Sequence, residues 1–309
     1  MKAISNNGKQ GKIGILKSIN KYKVQIFCVL PAILIITIFK YYPFVTSVYQ
    51  SFFNWNGANV KIFEGLGNYK DLLKDKMFHD AIFNILKVCV ATILINLTFP
   101  FIAAELVSNI KNQKIQKFFK LGFIIPMVVP FMVVILLWKW ILAGDYGIFN
   151  MLLQGIGLGG FTKPWLGTES TSLGAIIFIN FPWIAGLPFL LYLAGRQNIS
   201  EALYEAASLE GAGTFQKIIH IDIPLLSSHR KLVITYMLIQ AFQMFDQPSV
   251  LTGGGPGTAT LTPALYIYQR AFNYNQFGYS SSIGVALFIL VMVITFLNQR
   301  IMKESDVMD

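Results

Sequence analysis

Charge is scarce in this chain. Asp, Glu, Lys and Arg make up 13% of its 309 residues, about half of the roughly 25% usual in soluble domains. Hydrophobic residues reach 54% and mean hydropathy is +0.56. Single soluble cores stop growing near about 250–300 residues, so one core cannot absorb this much apolar surface, and lipid is the expected solvent. Cysteine is nearly absent. Cys28 and Cys89 both lie in apolar runs, which excludes a disulfide framework or thiolate metal site and reads as two small buried hydrophobes. His79, His220 and His229 are the only histidines and are scattered, suggesting neither a metal site nor a proton relay. Arginine is rarer than the formal charge of +10 implies: 4 of the 25 basic residues are Arg. The guanidinium forks that read phosphates and bases are missing, and the lysines sit between apolar runs rather than in one stripe. Nucleic acid is therefore not an expected partner. No G-x-x-x-x-G-K-[ST] occurs, so any ATP used must be bound by another polypeptide. The chain also lacks internal repeats and low-complexity tracts.

What is present is a series of long apolar runs. A span needs about 20 mostly apolar residues, and six segments qualify: about 24–49, 81–107, 118–142, 173–193, 232–251 and 283–301. The fold class is all-α, a polytopic membrane protein with six transmembrane helices. Residues 1–23 carry six lysines and no acid, long for a signal n-region, and no small-residue cleavage site follows. They read as a cytoplasmic basic segment ahead of a retained first span. Residues 24–302 form the membrane domain and 303–309 a tail. Basic residues fix orientation. The N-terminal segment, the 106–120 and 194–231 connections and the tail hold sixteen Lys and Arg, and the alternate connections and flanks hold eight. Both termini are expected in the cytoplasm. Residues 50–80 read as a loop with a helical piece at Asn68–Leu73, and Thr252–Gly257 as a turn. Pro126, Pro130, Pro182 and Pro188 fall inside apolar helices, where they kink the chain and can shape a cavity.

The 194–231 connection is the most informative. Ser200 is placed to N-cap a helix over 200–209. Gly211 or Gly213 stops it, and a second short helix follows until Pro224. Small residues Ala206, Ala207, Gly211 and Ala212 would let a partner groove approach such a knob. The order Glu205-Ala206-Ala207, Gly211-Ala212, then Ile221-Asp222-Ile223-Pro224 resembles the coupling motif of membrane-spanning subunits of ABC importers, and it lies between the fourth and fifth of six spans, as in that family. Phe245-Asp246-Gln247 with Leu251-Thr252-Gly253-Gly254-Gly255-Pro256, Gly65-Leu66-Gly67-Asn68-Tyr69, and Tyr204 before the Glu are similar to the carbohydrate branch, of the maltose and glycerol-phosphate permease type. The likeness runs from about residue 24 to 302, and departs from the usual pattern at Glu210 and Ile223, both conservative. It implies the type I importer transmembrane fold in a bacterial cell membrane. It also implies that Glu205, Ala206, Ala207, Gly211, Ala212, Ile221 and Pro224 form the contact with the ATPase. The implied partners are a second, homologous permease, a dimer of ATP-binding subunits that carries the ATP and Mg, and an extracytoplasmic solute-binding protein. No cofactor is expected on this chain, and it is not expected to be an enzyme.

Polar side chains in lipid usually face a cavity or another helix. Tyr236, Gln240, Gln243 and Gln247 recur at spacings of four, three and four, one face of a helix, with Asp246 beside them near the outer end. Asn180 and Trp183 lie one turn apart on the fourth span. Amides and aromatic planes suit a sugar, and the resemblance adds that Asn180 matches a sugar-contacting position. Lys87 and Lys139 read as snorkelling side chains. The expected solute is a neutral mono- or oligosaccharide. The competing reading is an ion-coupled secondary transporter, which normally carries more spans, repeats or embedded acids. A membrane-embedded enzyme would need a cluster of catalytic side chains that the spans do not offer.

Overall fold

The computed structural model describes residues 22–179 and 181–301, with the side chain of Ile301 excepted. The basic segment, the tail and Asn180 lie outside the described residues, apart from Tyr22 and Lys23.

Among the described residues, three helices are long and apolar enough to cross a membrane unbroken: α1 (Lys23–Gln50), α2 (Lys76–Ser108) and a C-terminal helix that begins at Phe277. Their residues form no clean amphipathic stripe because lipid, not water, faces them. No residue of α1 up to Gln50 is buried. The other three of the six expected spans are not single helices among the described residues. The third is a bent pair, α3 (Gln113–Val128) and α4 (Phe131–Ile141), meeting at 92°. Pro126 and Pro130 account for this, since a proline has no N–H and collides with the carbonyl four residues back. The fourth divides into α5 (Glu169–Phe178) and α6 (Leu187–Gln197). Pro182 disfavours helix at Phe181, and both Trp183 (φ 56°) and Gly186 (φ 109°) are left-handed. After α7 (Glu201–Leu209), the fifth divides into α8 (Ser227–Phe242) and α9 (Asp246–Leu251). Here the breaker is Pro248, whose ring would strike the Met244 carbonyl in a continuous helix. That carbonyl instead accepts a 2.7 Å hydrogen bond from Thr262 Oγ1. A short α10 (Pro263–Tyr268) leads into α11 (Phe277–Ile301).

The all-α expectation misses a small antiparallel hairpin, β1 (Phe53–Trp55) and β2 (Lys61–Phe63), with Phe53 opposite Phe63. The Asn56-Gly57 pair between aromatic runs is its sequence signal. The Asn56 Oδ1 accepts the N–H groups of Ala58 and Val60, both at 3.0 Å. At Gly278 any Cβ would stand 1.9 Å from the Phe53 carbonyl oxygen, so only glycine lets β1 lie on the start of α11. The expected helical piece is present as Gly67–Leu72.

α2 is the spine. Its C-terminal end, Ala103, Ala104 and Val107, packs on Phe189, Tyr192 and Leu193 of α6 and Val233 of α8. Its middle, Ile85, Val88 and Cys89, packs on Leu238, Ala241 and Phe242 of α8. Cys89 is buried as expected, but Cys28 is exposed on α1, a position that faces lipid or another chain.

Candidate functional site

All three helix breaks open on one cavity of about 650 Å³. Pro126, Met127 and Val129 come from the first break, Phe181 to Pro188 from the second, and Met244 and Gln247 from the third; Thr92 and Asn96 of α2 and Tyr236 of α8 complete it. Irregular backbone at membrane depth is tolerated where it lines a cavity, and three of the four expected kinking prolines do so here. No charged side chain lines the cavity among the described residues. Its aromatic wall centres on Trp183, whose ring meets Phe99, Phe178 and Phe181 at 5.1, 5.5 and 5.0 Å between centroids.

The expected polar stripe is only partly assembled. Gln243 is the residue after α8, so the four side chains do not share a continuous helix face. Tyr236 and Gln247 line the cavity, while Gln240 and Gln243 are exposed and absent from its wall. Gln240 Nε2 donates to Tyr236 Oη at 2.8 Å. Gln247 is 7% exposed and its Oε1 is buried without a partner. Such an orphan acceptor costs about 1–3 kcal/mol. Asp246 is exposed at the start of α9. Trp183 lines the cavity as expected, but from the break and not from a helix. Thr92 and Asn96 escaped the sequence reading. Their i, i+4 spacing on an apolar span was the available signal. Lys139 Nζ donates to the Val250 carbonyl at 2.7 Å, satisfying the end of α9 instead of snorkelling. Lys87 lies over the Phe83 ring at 4.4 Å.

At the other end lies the knob. α7 starts after Ser200, which holds the N-cap position but makes no side-chain capping bond. It ends in a left-handed cap. Gly211 has φ 79°, its N–H reaches the Ser208 carbonyl at 3.1 Å, and the Ala212 N–H reaches the Ala207 carbonyl at 2.9 Å, the paired bonds of a Schellman motif. A Cβ at Gly211 would meet nothing within 4 Å, so within this chain only φ demands glycine. A short helix, Thr214–Lys217, follows. The chain then widens into a π-helical turn, Ile218–Asp222, and ends at Ile223–Leu225, where Pro224 sits in the first turn instead of terminating a helix. Glu205, Ala206, Gly211 and Pro224 are exposed, and Ala207, Ala212 and Ile221 half-buried. Leu209 is 91% and Phe215 74% exposed.

Beneath the knob is a buried charged cluster. Arg196, near the end of α6, shares its Nε between Glu105 Oε2 of α2 at 3.4 Å and Asp222 Oδ1 at 3.2 Å. Its guanidinium stacks on the Tyr204 ring of α7 at 4.0 Å, and the Tyr204 hydroxyl donates to Asp222 Oδ1. Burial, then the bond to Asp222, pushes the Tyr204 phenol above the ordinary tyrosine range, so it remains a donor. Glu105 Oε1 has no partner. No local pattern in the sequence marks Glu105, because its partners lie 91 and more residues away.

A second charged cluster lies at the opposite end. Asp75 caps α2 by accepting from Met77 and Phe78 at 2.9 and 3.4 Å. Its other oxygen accepts from the Tyr266 and Tyr279 hydroxyls and lies 3.6 Å from Arg270. Burial raises the Asp75 pKa, but the hydrogen bonds from Tyr266, Tyr279, Phe78 and Met77 outweigh it and hold the carboxyl below its usual value. The Thr252–Gly257 turn is stapled nearby: Asn84 Nδ2 donates to the Thr258 and Leu261 carbonyls at 2.7 and 3.1 Å.

Comparison with known proteins places this architecture. The family described as the binding-protein-dependent transport system inner membrane component matches residues 96–304. The chain is 32% identical over 288 residues to the probable ABC transporter permease protein YurN of Bacillus subtilis, covering 93% of this chain and 99% of that one. It is 31% identical over 296 residues to the multiple sugar-binding transport system permease protein MsmF of Streptococcus mutans, covering 95% and 99%. Its fold is that of a chain in the crystal structure of a bacterial alginate ABC transporter in complex with an alginate pentasaccharide-bound periplasmic protein, with a TM-score of 0.80, 22% identity, and coverage of 93% and 98%.

Proposed function

The chain belongs to the family of binding-protein-dependent transport system inner membrane components, and from that premise we propose that it is one of two permeases of an ATP-driven importer for a neutral mono- or oligosaccharide. The permease itself performs no chemistry, in keeping with its relatives. A binding protein delivers the solute from outside. A second permease closes the other half of the pathway, and a pair of ATP-binding subunits docks on the 200–225 knob. On this reading the broken helices α3–α4, α5–α6 and α8–α9 are spans as well, giving six crossings with both termini in the cytoplasm.

One observation carries the choice of solute: among the described residues the cavity is aromatic and uncharged, with the Gln247 amide in its wall. An anionic solute at membrane depth would need a cation there. A sugar needs hydrogen bonds for its hydroxyls and a flat apolar surface for its ring, and Gln247, Tyr236, Asn96 and Trp183 provide both. Relatives named for sugar transport support the class. The ion-coupled alternative has little to stand on: the family is served by a binding protein, and the cavity holds no acid to bind a cation.

Two measurements test this. Proteoliposomes holding the whole complex should take up neutral oligosaccharides such as lactose or arabinotriose only with ATP inside, and should leave glycerol phosphate outside. Uptake of the phosphate at equal rate would overturn the neutral reading, and uptake without ATP the ABC one. Gly211→Asn separates backbone from docking. Asn tolerates left-handed φ, so the cap survives while the open space is filled. The docking reading expects ATPase co-purification to drop about tenfold, equivalent to roughly 1.4 kcal/mol.

A further inference from the structure

The knob is joined by covalent chain to α6 and α8 but not to α2. It behaves as one body: Tyr204 bonds Asp222 across it, and Lys217 Nζ donates to Ser208 Oγ at 2.6 Å. Its root is locked to α8, since a Cβ at Gly195 would stand 2.6 Å from Leu226 and 2.9 Å from His229. Toward α2 the contact is different. Ala103 and Ala104 offer a smooth face to α6, and apolar packing is non-directional, so it resists axial sliding weakly. A directional contact is needed to fix the register of α2 against the knob. Among the described residues, the one charge contact that joins α2, α6 and the knob is Arg196, 3.4 Å from Glu105 and 3.2 Å from Asp222.

We propose that Arg196 is a positioning residue that clamps α2 to the knob, so that displacement of the knob by the ATP-binding subunits moves α2, and with it the Thr92–Asn96 wall of the cavity. The idea rests on the docking role proposed above. Both Nε distances exceed the 2.7–2.9 Å usual for charge-assisted bonds, and Glu105 Oε1 has no partner. The free oxygen lets the guanidinium pivot while it stays tied to both carboxylates, so the link survives as the knob moves and no buried charge loses its counter-ion. Arg suits this because its planar fork presents five donors; Lys presents a point charge.

The test reads access to the cavity directly. In a background with Cys28 and Cys89 replaced by Ala, Met127→Cys in the cavity wall is modified with an aqueous methanethiosulfonate, in the intact complex, with and without ATP and vanadate. With Arg196 present, nucleotide trapping should change the modification rate by about tenfold, within the range of ordinary coupling between sites. In Arg196→Met the ATP-binding subunits should still co-purify and hydrolyse ATP, but the rate should change by less than about twofold; Arg196→Lys should restore part of the response. Arg196→Met leaves two buried carboxylates unpaired, so the triple variant Glu105→Gln, Arg196→Met, Asp222→Asn, which removes all three charges, guards against misfolding. A full nucleotide response in the triple variant, with the complex intact, overturns the clamp and leaves docking standing. If a cysteine at Leu209 never cross-links to an ATP-binding subunit in the unsubstituted complex, the docking role falls and the clamp with it.

Discussion

The two ends of the molecule carry the same ingredients, an arginine, tyrosine and carboxylate, in opposite states of satisfaction. At the Asp75 end one carboxylate faces two tyrosine hydroxyls, two backbone N–H groups and Arg270, so both oxygens are used. Arg270 Nε is also committed, donating to Tyr266 Oη at 2.7 Å. At the knob end two carboxylates share one guanidinium and an oxygen of Glu105 is left over. A saturated cluster resists rearrangement because every exchange first breaks a charge-assisted bond. An under-satisfied one exchanges partners at little cost. The Asp75 staple therefore holds α2, α10 and α11 as one block, while on the proposed coupling role the Arg196 cluster sits where movement has to pass.

That contrast can be broken by experiment. The largest effect is expected from Arg196→Met, which strands two buried carboxylates and should lower unfolding stability in detergent by about 3–5 kcal/mol. The same truncation at Arg270 should cost only about 1–2 kcal/mol, since Asp75 keeps its hydroxyl and backbone donors. Equal losses would erase the distinction. Tyr279→Phe removes one charge-assisted bond to Asp75 and should cost about 1–3 kcal/mol, readable as a shift in thermal midpoint, without change in nucleotide-driven cavity access. Acid titration sharpens the outer side further. The Asp75 carboxyl sits below its ordinary 3.8 in the folded chain, so its contribution is complete above the unfolded value and lost as pH falls through the folded one. The stability gap between the unsubstituted protein and Asp75→Asn should stay constant down to the ordinary carboxylate range and close only beneath it; a gap closing near neutrality would contradict the saturated cluster. The one gain is expected from Gln247→Leu. It removes a buried acceptor whose missing partner costs about 1–3 kcal/mol, so unfolding stability should rise, while uptake of a neutral oligosaccharide should fall about tenfold, the equivalent of one hydrogen bond at roughly 1.4 kcal/mol.

How much of this was readable in the chain depends on the element. α1, α2 and α11 are plain from hydropathy, because unbroken apolar runs in lipid have no alternative to helix. α5–α6 and α8–α9 are apolar too, and hydropathy does not register where they break. Pro182 and Gly186 mark the first of these breaks. The second is marked by Pro248, which acts four residues upstream, and overlooking that displacement made Tyr236, Gln240, Gln243 and Gln247 look like one stripe. The first helix of the knob and its glycine stop at Gly211 were legible from local capping chemistry, whereas the missing Ser200 cap bond and the place of Pro224 in a first turn were not. The Glu105–Arg196–Asp222 cluster was not, because its members lie on separate elements and only tertiary packing brings them together.

The coupling role depends on residues 200–225 facing the cytosol against an ATP-binding subunit. The most direct measurement is disulfide trapping at Leu209→Cys, the barest apolar residue of the knob at 91% exposed, in intact cells and in the purified complex. The expected result is a cross-link to a cysteine placed in the ATP-binding subunit, and no labelling of Leu209→Cys by a membrane-impermeant thiol reagent added outside. Labelling from outside, with no cross-link, would contradict the account.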